Sequence, residues 1–251
     1  MREQILEKLN EIEKTQNIEI LLAVETGSRA WGHYNKNSDY DVRFIYRQND
    51  ISKYLVLDKF EDVYEADDGL FDFVGWDVKK ALHLHFKSNP NLREWIISPV
   101  KYVPDEIGMF RDLPDFNPEI LKHHYYGLAF KTNKKYIEGN DLNDVKIVKK
   151  TLYVIRCTLA WKLLDKRILP PMNFAELIRL NDLEDDLESA ILTLRGAYSN
   201  LTIEDVEYED LTMIHDWIGE SIDGFTKNKF KAPKRDIEKY NERFREIIGL
   251  K

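Results

Sequence analysis

The sequence predicts an α+β chain in which an α/β unit is followed by an all-helical one. Three observations carry that expectation. Apolar stretches of strand length recur at 18–24, 39–46 and 69–75, whereas no convincing alternating strand appears after Pro118. Pro104, Pro114 and Pro118 punctuate the stretch between the two regimes and mark a junction, so that residues 1–115 form the α/β unit and 116–251 the helical one. At 251 residues and 43% hydrophobic content, the chain is long enough to bury a full core.

The elements follow in order. Ile5, Leu9 and Ile12 fall at helical spacing among Glu and Lys, so residues 1–15 read as an amphipathic helix rather than a signal segment. The run 18–24 is nearly continuous in apolar residues, as a strand covered on both faces requires. It leads into Val24-Glu25-Thr26-Gly27-Ser28-Arg29-Ala30-Trp31-Gly32, a turn of small residues. A second strand, 39–46, carries Asp39, Asp41, Arg43 and Ile45 on one face and Tyr40, Val42, Phe44 and Tyr46 on the apolar face. A short helix at 50–57 and a strand at 60–64 precede the third apolar run. A helix then starts at Asp77, and Ser88-Asn89-Pro90-Asn91 starts another, with Leu92, Trp95 and Ile96 as its stripe and Glu94 either on its solvated face or an acid supporting the metal ligands. Ser98-Pro99 stops it.

The chemistry concentrates in the turn and the strand after it. Gly27-Ser28 lets backbone and a hydroxyl approach a phosphate chain where a bulkier pair would not. Asp39 and Asp41, two residues apart on one strand, converge on a volume a few ångströms wide. Like charges so close call for a cation, and hard oxygen ligands select Mg²⁺ or Mn²⁺. The expected occupant is a nucleotide with its metal. Asp72 is a lone charge between Phe71 and Phe73, costly to bury unless something binds it, and is therefore the candidate third carboxylate. Asp77 competes for that role, but its place at a helix start suits a cap. Arg29 is placed to reach phosphate, Arg43 to reach phosphate or to orient Asp41; Trp31 and His33 either touch substrate or pack the turn.

Beyond Pro118, helices are expected at 118–138, 143–166, 173–181, 183–198, 203–221 and 233–248. In the second of these, Lys149, Tyr153 and Arg156 lie on one stripe, a candidate nucleotide-binding face, with Lys150 as the alternative lysine. Lys227, Lys229, Lys231, Lys234 and Arg235 form a basic run that reads as a solvated loop or an RNA contact. Cys157 rules out a disulfide framework. His83 and His85 read as surface or packing residues. A net charge of −8 argues against broad wrapping of nucleic acid, so an RNA partner needs a local patch. No apolar run approaches the ~20 residues of a membrane span, and a cytoplasmic location is expected.

Taken together, Gly27-Ser28 and Asp39-Tyr40-Asp41 resemble the polymerase-β-type nucleotidyltransferase superfamily. Gly27 to Gly32, Gly75-Trp76-Asp77, Ser88-Asn89-Pro90, Glu94-Trp95 and Ser98-Pro99 resemble more closely a bacterial and phage group that includes the RNA-ligase-associated type. The resemblance spans most of the chain, with its specific motifs in the first hundred residues. It implies a small mixed β-sheet core, an NTP substrate, and two metal ions held by Asp39, Asp41 and Asp72. It also implies triphosphate contacts from Gly27 and Ser28, and an RNA end as acceptor in repair. Related folds modify small molecules or a partner protein instead, and a catalytically silent nucleotide-binding module is the remaining alternative.

Overall fold

A computed structural model describes residues 1–58, 60–140, 144–226 and 234–250. The chain divides into two compact units. Residues 1–30 and 39–116, with the C-terminal segment 234–250, form the first; residues 31–38 and 117–226 form the second. A single cut near residue 115 therefore misses two segments, each assigned by what its apolar side chains pack against.

The first unit is a five-stranded mixed sheet in the order β3-β4-β2-β1-β5. Its strands are β1 (Ile18–Thr26), β2 (Tyr40–Gln48), β3 (Val63–Asp67), β4 (Phe71–Asp77) and β5 (Lys101–Val103). β2 and β4 are parallel and every other pair is antiparallel. Helix α1 (Arg2–Gln16) lays Ile5, Leu9 and Ile12 on one face, against Ala23, Val42, Phe44 and Phe73. Helices α3 (Val78–Phe86), α4 (Pro90–Ile97) and the C-terminal α10 (Ile237–Ile247) cover the other, around Leu22, Val24, Ile45 and Trp95. An irregularity in β1 between Ile20 and Leu22 lets the consecutive Leu21 and Leu22 enter the same core. Gly75 lies under Phe44, whose ring a Cβ would meet at 2.3 Å. Trp76 stacks on Trp95 at 3.7 Å.

Two expectations shift and one strand is unannounced. The strand expected at 60–64 is the edge strand Val63–Asp67, and the helix expected at 50–57 shrinks to a 3₁₀ turn, Ile51–Tyr54. β5 carries no sequence signal, because three residues between Pro99 and Pro104 are too few to show a period.

The second unit is helical: α5 (Pro118–Thr132), α6 (Val145–Asp165), α7 (Phe174–Asn181), α8 (Asp185–Asn200) and α9 (Tyr208–Asp223). α6 is its axis, with Leu152, Ile155, Leu159 and Leu163 fully buried. Among the described residues, no helix is long and apolar enough to cross a membrane.

Candidate active site

Parallel pairing of β2 and β4 sets Asp41 opposite Asp72, and side chains paired across strands leave the sheet on the same face. On β1, Thr26 pairs with Asp41 from the other side. Arg43, two residues beyond Asp41, shares that face. Its Nη2 donates to Asp41 Oδ1 at 2.9 Å and to Asp72 Oδ2 at 2.7 Å, while Nη1 donates to the Asp72 carbonyl at 2.7 Å. One guanidinium thus stands between two carboxylates that would otherwise repel. The side chains of Arg43, Asp41 and Asp72 are 15%, 21% and 32% exposed, so a ligand can reach the trio from solvent.

The turn after β1 is a short helix, α2 (Gly27–Trp31). Gly27 opens it at φ +61°, and a Cβ there would lie 1.9 Å from Asp41 Oδ2. Glycine is required twice over, by the left-handed backbone and by the carboxylate seated against it. Ser28 is buried, and its Oγ has no hydrogen-bond partner. An unsatisfied buried hydroxyl costs roughly 1–3 kcal/mol, which an incoming ligand oxygen would offset. Arg29 is turned to structure: its Nε donates to the Asp39 carbonyl at 2.9 Å and its guanidinium lies 3.8 Å from the centre of the Tyr40 ring.

Asp39 falls just outside β2, one residue before the strand begins, and is half-buried. Among the described residues, no three His, Cys, Asp or Glu groups stand close enough to hold a metal. The structure brings Asp41 and Asp72 to one guanidinium, and these two with Asp39 do not form a ready-made cluster of three metal ligands. Asp77 lies elsewhere, fully buried as the N-cap of α3. It accepts the Lys79 N–H at 2.8 Å and the Tyr54 hydroxyl at 2.7 Å. Burial, aided by the neighbouring charge of Asp62, pushes its pKa up to about 6 despite those two bonds.

The residue that sequence reasoning missed is Glu25. It is 2% exposed and pairs with Val42, so its side chain lies on the α1 face of the sheet. One carboxylate oxygen accepts the Asp41 N–H at 2.8 Å, and the other accepts the Tyr102 hydroxyl. Burial raises its pKa, and these two hydrogen bonds pull the other way. The signal was present: Glu25 is a charge at the end of an apolar strand, the same anomaly that singles out Asp72.

Lys149, Tyr153 and Arg156 belong to the helical unit and do not form one open stripe. Lys149 is exposed, but Arg156 is 2% exposed with its guanidinium 4.3 Å from the Trp31 ring centre, and Tyr153 tilts against the same indole. Trp31 and His33 pack rather than project. His33 sits edge-on to Phe174, and burial, helped by Arg156, Arg195 and Lys149, lowers its pKa to about 3. Arg195 donates twice to the Gly32 carbonyl, at 3.0 and 2.7 Å.

The other singled-out residues differ in burial and partners. His85 is buried and within hydrogen-bonding distance of the Tyr240 hydroxyl, whereas His83 is exposed. Glu94 is buried rather than on a solvated face. Arg235 binds the His85 carbonyl, the Ser88 hydroxyl and the Asp115 carbonyl, fixing the approach to α10. Lys227, Lys229 and Lys231 lie outside the described residues.

Over residues 1–246 the sequence matches RlaP, the RNA repair pathway DNA polymerase beta family. The chain belongs to that family. A relative, the uncharacterized protein YcgL of Bacillus subtilis strain 168, is 33% identical over 246 residues, covering 94% of this chain and 92% of its own. A nucleotidyltransferase-like protein from Exiguobacterium sibiricum 255-15 overlays 86% of this chain and 76% of its own at 12% identity, with a TM-score of 0.34, too loose to bear on the site. Family membership makes this RlaP chain a polymerase-β-like nucleotidyltransferase of an RNA repair pathway.

Proposed function

We propose that this RlaP-family protein moves a nucleoside monophosphate from an NTP to the hydroxyl of an RNA end. The observation that carries the reading is the Asp41–Arg43–Asp72 bridge beside the unpartnered Ser28 hydroxyl. In the reaction the acceptor oxygen bonds to the α-phosphorus, the bond from that phosphorus to the bridging oxygen breaks, and pyrophosphate leaves in line. Asp72 takes the acceptor's proton. Ser28 donates to a phosphate oxygen, and Gly27 keeps the floor beneath Asp41 clear. Arg43 transfers one of its hydrogen bonds to the triphosphate as the nucleotide enters.

The donor set fits a hard divalent cation. Asp41 and Asp72 offer carboxylate oxygens on one face and already share a positive group. Mg²⁺ or Mn²⁺ would be held by these two carboxylates, with Asp39 as the third ligand that the resemblance implies. When bound it would neutralise charge on the phosphates and acidify the attacking hydroxyl.

The test is to incubate the protein with each labelled NTP, Mg²⁺ or Mn²⁺, and RNAs bearing defined 5′ and 3′ ends. Label appearing on one class of RNA end, and lost with Asp41→Asn, supports the reading. Label on the protein itself or on a small acceptor alone would overturn the RNA end as acceptor.

A further inference from the structure

We propose that Glu25 is a positioning residue for nucleotidyl transfer, acting from behind the sheet through the backbone of Asp41. The inference rests on Asp41 being an acid of the transfer site. An ionised carboxylate inside a sheet is costly unless it is bonded, and Glu25 is held at every polar group. Its N–H donates to the Val100 carbonyl at 3.0 Å, its carbonyl accepts the Ser98 hydroxyl at 2.6 Å, and its carboxylate accepts the Tyr102 hydroxyl. The remaining carboxylate oxygen takes the Asp41 N–H at 2.8 Å. From the next residue, the Thr26 hydroxyl donates to the Asp41 carbonyl at 3.2 Å. Both backbone groups of Asp41 are therefore bonded by side chains of β1.

That double hold fixes where the Asp41 carboxylate emerges on the opposite face. A catalytic side chain on a strand end would otherwise share in end fraying, and a displacement near 1 Å at such a group costs about a hundredfold in rate. The segment 98–102 thus supports Glu25, and Glu25 supports Asp41. A merely structural Glu25 would pin β5 to β1 and change stability alone.

The experiment compares Glu25→Ala, Glu25→Gln, Thr26→Val and Asp41→Asn in the full chain, reading kcat, KM for the NTP, Mn²⁺ binding by electron paramagnetic resonance, and thermal melting. Glu25→Ala is expected to lower kcat about 30- to 100-fold with KM within about threefold, and to broaden the bound Mn²⁺ signal. Glu25→Gln retains an acceptor for the Asp41 N–H and is expected to recover kcat to within about fivefold of wild type. Thr26→Val, which loses one of the two bonds, should fall about 3- to 10-fold in kcat alone.

The proposal is overturned if kcat per folded molecule in Glu25→Ala stays within about threefold of wild type, or if Glu25→Gln falls as far as the alanine variant. Should Glu25→Ala fail to fold, Thr26→Val decides: a loss of kcat at constant KM supports the proposal and wild-type turnover overturns it. If Asp41→Asn abolishes transfer while Glu25→Ala and Thr26→Val turn over normally, this inference alone fails. If Asp41→Asn retains transfer, the site reading fails and takes this one with it.

Discussion

At the scale of single residues, Gly27 and Asp72 carry the sharpest consequences. Alanine at Gly27 meets the Asp41 carboxylate and demands a left-handed backbone, a penalty of roughly 1–2 kcal/mol. Gly27→Ala is expected to lower the melting temperature by several degrees and to cut transfer more than tenfold, because Asp41 has to move aside. A melting curve and a label-transfer rate check both; wild-type transfer in a folded Gly27→Ala protein would show that the carboxylate's seat is unimportant. Asp72→Asn keeps an acceptor for Arg43 but cannot take a proton. Nucleotide affinity within about threefold, with turnover down about a hundredfold or more, is the expected split. Parallel losses of binding and turnover would assign Asp72 to binding instead.

At the scale of elements, α3 begins on a buried acid whose titration is visible in stability. Asp77 has a folded pKa of about 6, above its unfolded value. Its stabilising contribution is therefore full below pH ~4 and is lost as pH rises through 6, on the order of 2–3 kcal/mol. Denaturant unfolding of wild type between pH 4 and 7 is expected to show that decline superimposed on other titrations. Asp77→Asn, which still caps α3, should flatten it, and an unchanged pH profile in this variant would contradict the burial argument.

The elements also explain what the sequence disclosed. β1, β2, β4 and the helices announce themselves because burial on one or two faces forces a periodic pattern, and Asp72 stood out because charge violates that pattern. Glu25 violates it too, at the end of a strand where a polar residue looks ordinary. The bridging by Arg43 follows from the register of β2 against β4, which depends on a long-range parallel pairing with no local signature. The same holds for the packing of residues 31–38 with the helical unit and of α10 with the sheet, since both pair segments far apart in sequence.

At the scale of the whole molecule, ligand binding is expected to register as a gain in stability. A ligand that binds only the folded chain stabilises it by about 2.7 kcal/mol at a hundred times its dissociation constant. NTP with Mg²⁺ should raise the melting temperature by several degrees, and EDTA should erase most of the gain; equal stabilisation without metal would refute the donor set assigned to Asp41 and Asp72. The most direct measurement remains label transfer from an NTP to defined RNA ends by wild type and Asp41→Asn side by side. Labelled RNA from wild type and a loss of at least about a hundredfold in a folded Asp41→Asn protein is the expected result. Transfer by Asp41→Asn within tenfold of wild type would contradict the site on which every role assigned above depends.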